Sequence, residues 1–191
     1  GLFFQNSFLL AASYFFYGIW DPRFLLLIIF SSLVDFLVGI GLGKEKNQTK
    51  RKILLGLSLF VNLGLLGVLK YFNFFIESFV DFSILLGFQA NISSLNLILP
   101  VGISFYTFQT LSYSIDVYKR QLEPTKNILA FFTYVAFFPQ LVAGPIERAS
   151  HLLPQFFKRK EFNYGLAVSG MRQIVWGFFK KVVIADSCST I

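Results

Sequence analysis

LPVGISFYTFQTLSYSIDVY, residues Leu99–Tyr118, is an apolar stretch entered through a proline and a glycine and carrying hydroxyls, amides and one carboxylate. A helix crossing a bilayer tolerates such groups only where they face protein or water, because hydrocarbon cannot solvate them. FFPQLVAGPIER, residues Phe137–Arg148, is an apolar segment broken by Pro139 and by Gly144-Pro145. Such breaks suit a re-entrant element better than a plain span. Together the two stretches predict a membrane protein that builds a polar site inside itself.

The composition agrees. Of 191 residues 55% are hydrophobic and only 14% charged, where a soluble domain carries about 25% charged residues. Mean hydropathy is +0.64, and the apolar residues come in long blocks, the pattern of membrane spans. The net charge of +7 is explained by position. Lys44, Lys46, Lys50, Arg51 and Lys52 sit in one loop and Lys158, Arg159 and Lys160 in another, while no Lys or Arg falls between Tyr71 and Tyr118. Basic clusters between apolar blocks set membrane orientation, and no basic-aromatic interleaving points to nucleic acid. The single cysteine, Cys188, excludes an intramolecular disulfide framework and a multi-cysteine metal site.

The expected fold is all-α, a polytopic transmembrane helical bundle with a re-entrant or broken helical segment. Leu2–Trp20 is the first apolar block; it lacks the basic start of a signal peptide. Phe24–Leu42 follows, then the basic loop Gly43–Lys52, expected to be cytoplasmic. Ile53–Ile76 crosses outward, with Lys70 near enough to its end to snorkel. Glu77–Asn96 carries acids but no base and is expected outside, with Phe79–Phe88 in the interface. Leu97–Tyr118 returns, delivering Lys119, Arg120 and Lys126 to the cytoplasm.

Asn127–Ala143 is short and breaks at Pro139; if it spanned, Arg148 and Lys158–Lys160 would be stranded outside. A hairpin turning near Pro139–Pro145 removes the conflict. Tyr164–Ile184, interrupted by Arg172, Lys180 and Lys181, reads as an interfacial helix or one packed within a bundle. Residues 1–191 are expected to form one integral membrane domain, an incomplete one, since the chain opens on Gly1 and stops without a helix-ending signal.

Within Leu97–Tyr118, Tyr106, Gln109, Thr110, Tyr113 and Asp116 recur at steps of three and four and so share a helix face. Singly, each fits interhelical glue; five on one stripe favour a substrate path. Pro100 and Gly102 suit the helix start. Asp35 must face the bundle, as a paired structural carboxylate rather than a relay. His151, the only histidine, falls in a polar stretch with nothing to orient it as a base. No Ser–His–acid arrangement, phosphate-binding glycine loop or metal-ligand cluster is present.

In these two motifs the chain resembles the membrane-bound O-acyltransferase family, in its bacterial branch with alginate O-acetyltransferases. SYFFYGIWDPRFL, LKYFNFF and WGFFKKVVIAD extend the likeness over the chain. Pro100, Gly102, Pro139, Gly144, Pro145 and Arg148 are the motif positions with structural roles.

The resemblance implies a multi-pass enzyme of the bacterial inner membrane with no bound cofactor or metal. It takes an acyl group, acetyl in this branch, from a cytoplasmic thioester donor, an acyl-CoA or an acyl-carrier protein. The group passes through the bilayer to hydroxyls of an extracellular polysaccharide or cell-envelope polymer, with an extracytoplasmic acetyltransferase as partner. The family's catalytic histidines lie in motifs beyond residue 191, and His151 matches neither, so the chain reads as the N-terminal half of the core and is expected to be inactive alone. D-alanyl transfer to teichoic acid occurs in the same family. A transporter or flippase gated at Pro139–Pro145 and a non-catalytic scaffold are the rival readings.

Overall fold

The computed structural model describes residues 1–86, 102–141, 144–145 and 147–188. The described elements are helical throughout, and their contacts group the chain into two units, Gly1–Lys158 and the residues from Arg159 onward.

In the first unit α1 (Leu2–Trp20) and α2 (Pro22–Lys44) meet at Asp21. Its carboxylate caps α2 by accepting the Arg23 N–H at 2.8 Å, with Pro22 in the first turn where its missing N–H costs nothing. The Arg23 guanidinium, 2.7 Å away, holds that carboxylate below its ordinary range. Glu45 closes the next turn by accepting the N–H groups of Lys46 and Asn47 at 3.0 Å each, and Asn47 caps α3 (Gln48–Leu85). The 38 residues of α3 extend about 57 Å, well beyond the roughly 30 Å of hydrocarbon. Glu77–Leu85, expected in a separate external segment, therefore continues this helix; residues 87–96 of that segment lie outside the described residues.

Helix α4 (Ile103–Tyr118) runs back alongside α2 and α3. At one end of the pair the Gln48 amide donates to the Tyr118 hydroxyl at 3.0 Å, and near the other end the Lys70 amine donates to the Ser104 hydroxyl at 3.3 Å. Lys70, expected to snorkel, thus reaches the neighbouring helix. The α2–α3 and α4–α5 connections, both carrying basic residues, lie together, with Gly43 packed against Pro124. α1, α2 and α3 are long and apolar enough to cross a membrane.

The broken segment behaves as its sequence demands. α5 (Ile128–Ala136) has nine residues, about 14 Å and half a bilayer. It ends at Phe137, and α6 (Phe138–Leu141) follows. Ala130, Phe131, Tyr134 and Val135 are wholly buried, so α5 is an inserted core element. The Gly144 N–H donates to the Gln140 carbonyl at 2.9 Å. A Cβ on Gly144 would lie 2.7 Å from Gln140 Cα, so the turn requires glycine. α7 (Ala149–Leu152) and a 3-10 turn (Leu153–Phe157) then bring the chain back, and Leu153–Lys158 face Leu122–Asn127 across a groove. The segment enters and leaves at the same end, which makes it re-entrant.

Packing in this unit is inverted relative to a soluble protein. Phe3, Phe4, Phe8, Phe60 and Phe75 are more than 60% exposed, whereas Asn6, Ser13, Asp35, Ser58, Asn62, Gln109 and Thr110 are at most 1% exposed. Lipid solvates the first set; only other helices can satisfy the second.

The second unit is α8 (Tyr164–Phe179), a π-helical stretch (Lys180–Ala185) and a final turn, α9 (Asp186–Cys188). Asn163 caps α8 by accepting the Leu166 N–H at 3.0 Å, and Lys181 pairs with Asp186 at 2.6 Å. None of its helical residues is buried.

Candidate functional site

The first polar cluster is a cage around Asp35. One carboxylate oxygen accepts the hydroxyls of Ser58 and of Ser114, the latter at 2.8 Å, and the other accepts the Asn62 amide at 2.7 Å. The Asn62 carbonyl oxygen in turn accepts Ser31 at 2.6 Å and Thr110 at 3.3 Å. Among the described residues no cation takes part. Asp35 faces the bundle, as expected of a carboxylate in a span, and its partners are neutral donors. The cage has a signal in the sequence that the stripe reading missed. Ser31 and Asp35, Ser58 and Asn62, Thr110 and Ser114 are each a polar pair one turn apart in an apolar helix, so each pair shares a face.

The second cluster joins α4 to α5 and α7. The Gln109 amide donates to the Tyr134 carbonyl at 2.8 Å, and the Tyr134 hydroxyl donates to the Gln109 carbonyl at 2.9 Å. Ser112 accepts the Ala149 N–H at 3.2 Å and so ties the returning chain to α4. Tyr113 accepts the Thr125 N–H at 3.2 Å, and its ring fills the space that a Cβ on Gly39 would need.

All five residues of the predicted stripe are buried, none more than 6% exposed. They do not serve one purpose. Gln109, Thr110 and Tyr113 are bonded to three different neighbours, whereas the Tyr106 hydroxyl and the Asp116 Oδ2 oxygen are buried without a hydrogen-bond partner. Such atoms are costly unless something outside the described residues meets them.

Gly102 takes the left-handed conformation (φ 77°) at the start of α4, and a Cβ there would collide with the Tyr17 hydroxyl and lie 2.9 Å from the Leu141 carbonyl oxygen. Pro100 lies outside the described residues. Pro139, Pro145 and Arg148 are exposed, and the Arg148 carbonyl starts α7 by accepting the His151 and Leu152 N–H groups. His151 falls in α7. Its Nδ1 lies 3.8 Å from Glu147, too far for a hydrogen bond, and its side chain is 76% exposed. Among the described residues no three His, Cys, Asp or Glu side chains gather to hold a metal ion.

Sequence reasoning also missed Arg51. Taken as a topology charge, it is 4% exposed. Its guanidinium donates to the carbonyls of Leu42, Val117 and Tyr118, the last at 2.7 Å, and so joins the ends of α2 and α4.

Comparison with known proteins places these features in context. Over 98% of its length the chain is 37% identical to a protein of Pseudomonas aeruginosa named probable alginate O-acetylase AlgI, and 36% identical to one of the same name from Azotobacter vinelandii. Over 96% of its length it is 32% identical to a peptidoglycan O-acetyltransferase of Helicobacter pylori. The chain spans 36%, 38% and 39% of these three relatives, respectively. No family model and no solved structure matches it.

Proposed function

Because the chain belongs to the membrane-bound O-acyltransferase family, we propose that it forms part of a multi-pass enzyme of the bacterial inner membrane that O-acetylates an extracellular polysaccharide or envelope polymer. The observation carrying this is the near-complete coverage of the chain by relatives named for O-acetylation of two different polymers, alginate and peptidoglycan. Those names favour acetyl over D-alanyl as the group moved.

In the reaction a cytoplasmic thioester, carried on coenzyme A or a carrier protein, loses its C–S bond as an acceptor hydroxyl oxygen bonds to the carbonyl carbon. The hydroxyl proton passes through a general base to the departing sulfur. That base lies in the family motifs beyond residue 191. The contribution of this chain is the dry polar interior. Gln109, Thr110 and Tyr113 hold α4 against its neighbours, and Tyr106 and Asp116 are the stripe's free polar atoms, available to a group passing along it. An extracytoplasmic acetyltransferase completes delivery to the polymer.

The test is deletion of the complete gene in its own host, followed by assay of acetate released from envelope polysaccharide by mild base. Ester-bound acetate falls to background in the deletion and returns with the wild-type gene. Unchanged acetate, with polymer trapped on the cytoplasmic side, would identify a transporter instead.

A further inference from the structure

Ser31 and Asp35 on α2, Ser58 and Asn62 on α3, and Thr110 and Ser114 on α4 are each one turn apart, so three apolar helices bring six polar side chains together. All six are at most 1% exposed. Asp35 stands near the middle of the 23-residue α2, which in a spanning helix of that length is the depth of the bilayer centre. An ionised carboxylate there is costly, and neutral donors do not cancel its charge.

The directions of the hydrogen bonds show which form of the carboxyl the cage suits. The Asn62 amide nitrogen donates to Asp35 Oδ2 at 2.7 Å and to the Ser58 main-chain carbonyl at 3.0 Å. A carbonyl only accepts, so the nitrogen side of Asn62 must face Asp35. Its oxygen side accepts the Ser31 and Thr110 hydroxyls, and Asp35 Oδ1 accepts those of Ser58 and Ser114. A proton on Oδ2 would point at an N–H, and one on Oδ1 would turn a serine hydroxyl away. The cage is therefore arranged around a carboxylate that accepts three bonds and donates none. No ion pair among the described residues includes Asp35. Arg51, two turns before Ser58 on α3, is engaged by main-chain carbonyls.

We propose that this cage binds one monovalent cation, sodium, which supplies the missing positive charge. A hydroxyl that donates its hydrogen keeps lone pairs for a metal. Ser58, Ser114 and Thr110 can thus present oxygens to an ion held by Asp35, with the Asn62 carbonyl oxygen beside them. These are hard oxygen ligands with a single negative charge among them, and a divalent ion would leave a net positive charge at the same depth. Oxygens 2.6 and 2.8 Å apart frame a small site, and site size then selects sodium over potassium. The ion joins α2, α3 and α4 where Thr110 of the buried stripe meets the cage. It does so whatever group the complete protein transfers.

The full-length protein in nanodiscs is melted over a range of sodium chloride concentrations, with choline chloride holding the ionic strength constant. The wild-type melting temperature rises by about 2 °C or more for each tenfold increase in sodium above the dissociation constant, and by less in potassium. Asp35→Asn abolishes the response. Ser114→Ala keeps the charge and removes one ligand, and raises the sodium concentration needed by about tenfold.

A wild-type melt indifferent to sodium overturns the proposal. So does a response that choline reproduces, which is screening, or one that survives in Asp35→Asn, which puts the ion elsewhere. Stabilisation by acid in place of sodium assigns the charge to a proton and overturns it as well. If Asp35→Asn fails to fold, Ser114→Ala decides, and an unshifted sodium dependence in that variant removes the cage as the site.

Discussion

Asp35 is where a charge-bearing residue would be least expected, inside an apolar helix and wholly buried, and three neutral donors from two other helices converge on it. Replacing the carboxylate with a hydrocarbon strands Ser58, Ser114 and Asn62 in a place that water does not reach. Each stranded donor costs about 1–3 kcal/mol in a soluble core, and interhelical bonds in membranes run nearer 0.6 kcal/mol. Asp35→Leu is therefore expected to lower stability by about 2–4 kcal/mol in all, while Asp35→Asn keeps an acceptor for the two serines and costs less. Thermal melting of the detergent-solubilised protein checks the order, and equal melting of the two variants would show that the cage does not hold the bundle. The residue's inward direction was legible, because a carboxylate in a span has nowhere else to go. Its partners were not, because Ser58 and Ser114 lie 23 and 79 residues away and sequence spacing carries no record of which helices become neighbours.

Helices end where their last carbonyls find partners, and here one side chain serves two ends. Arg51, in the first turn of α3, reaches the carbonyls of Leu42 in α2 and of Val117 and Tyr118 in α4. A cation at helix C-termini is favoured by the helix dipoles as well as by the hydrogen bonds. Only a planar fork with several donors can bridge both ends at once, so Arg51→Lys keeps the loop charge and loses the clamp. The expected cost is about 1–3 kcal/mol in unfolding, against less than about 0.5 kcal/mol for Lys52→Ala, one position on and exposed. Denaturant unfolding of the two variants measures the difference, and a silent Arg51→Lys would mean the contacts carry no weight. Apolar blocks gave away the existence of α1, α2 and α3, and Pro139 with Gly144-Pro145 gave away the break after α5. The length of α3 was hidden, since Glu77 and Asp81 looked like the end of a span and a helix can run on past the bilayer at no penalty.

At the scale of the molecule, the loops place their charges and the helices carry that choice through the fold. Contacts at one end of the bundle fix which connections lie together. Gln48 bonds Tyr118, the Asn6 amide donates to the Phe156 carbonyl at 2.8 Å, and Gly43 packs so closely on Pro124 that a Cβ would collide. The α2–α3 turn, the α4–α5 loop and the returning 3-10 turn must therefore share one side of the membrane, whichever side it is. Charge then chooses the side, because Lys44, Lys46, Lys50, Lys119, Arg120 and Lys126 are all at that end, and loops rich in Lys and Arg stay in the cytoplasm. With the exposed Cys188 replaced by serine, single cysteines at Lys46, Gln121 and Gln155 are expected to react with an impermeant maleimide only after the membrane is opened. A cysteine at Asp21, in the turn at the far end of α2, reacts in intact cells. Labelling of Gln155 and Gln121 from opposite sides would break the re-entrant turn, since the chain between them would have crossed; labelling of all three from outside would leave the fold intact and invert it.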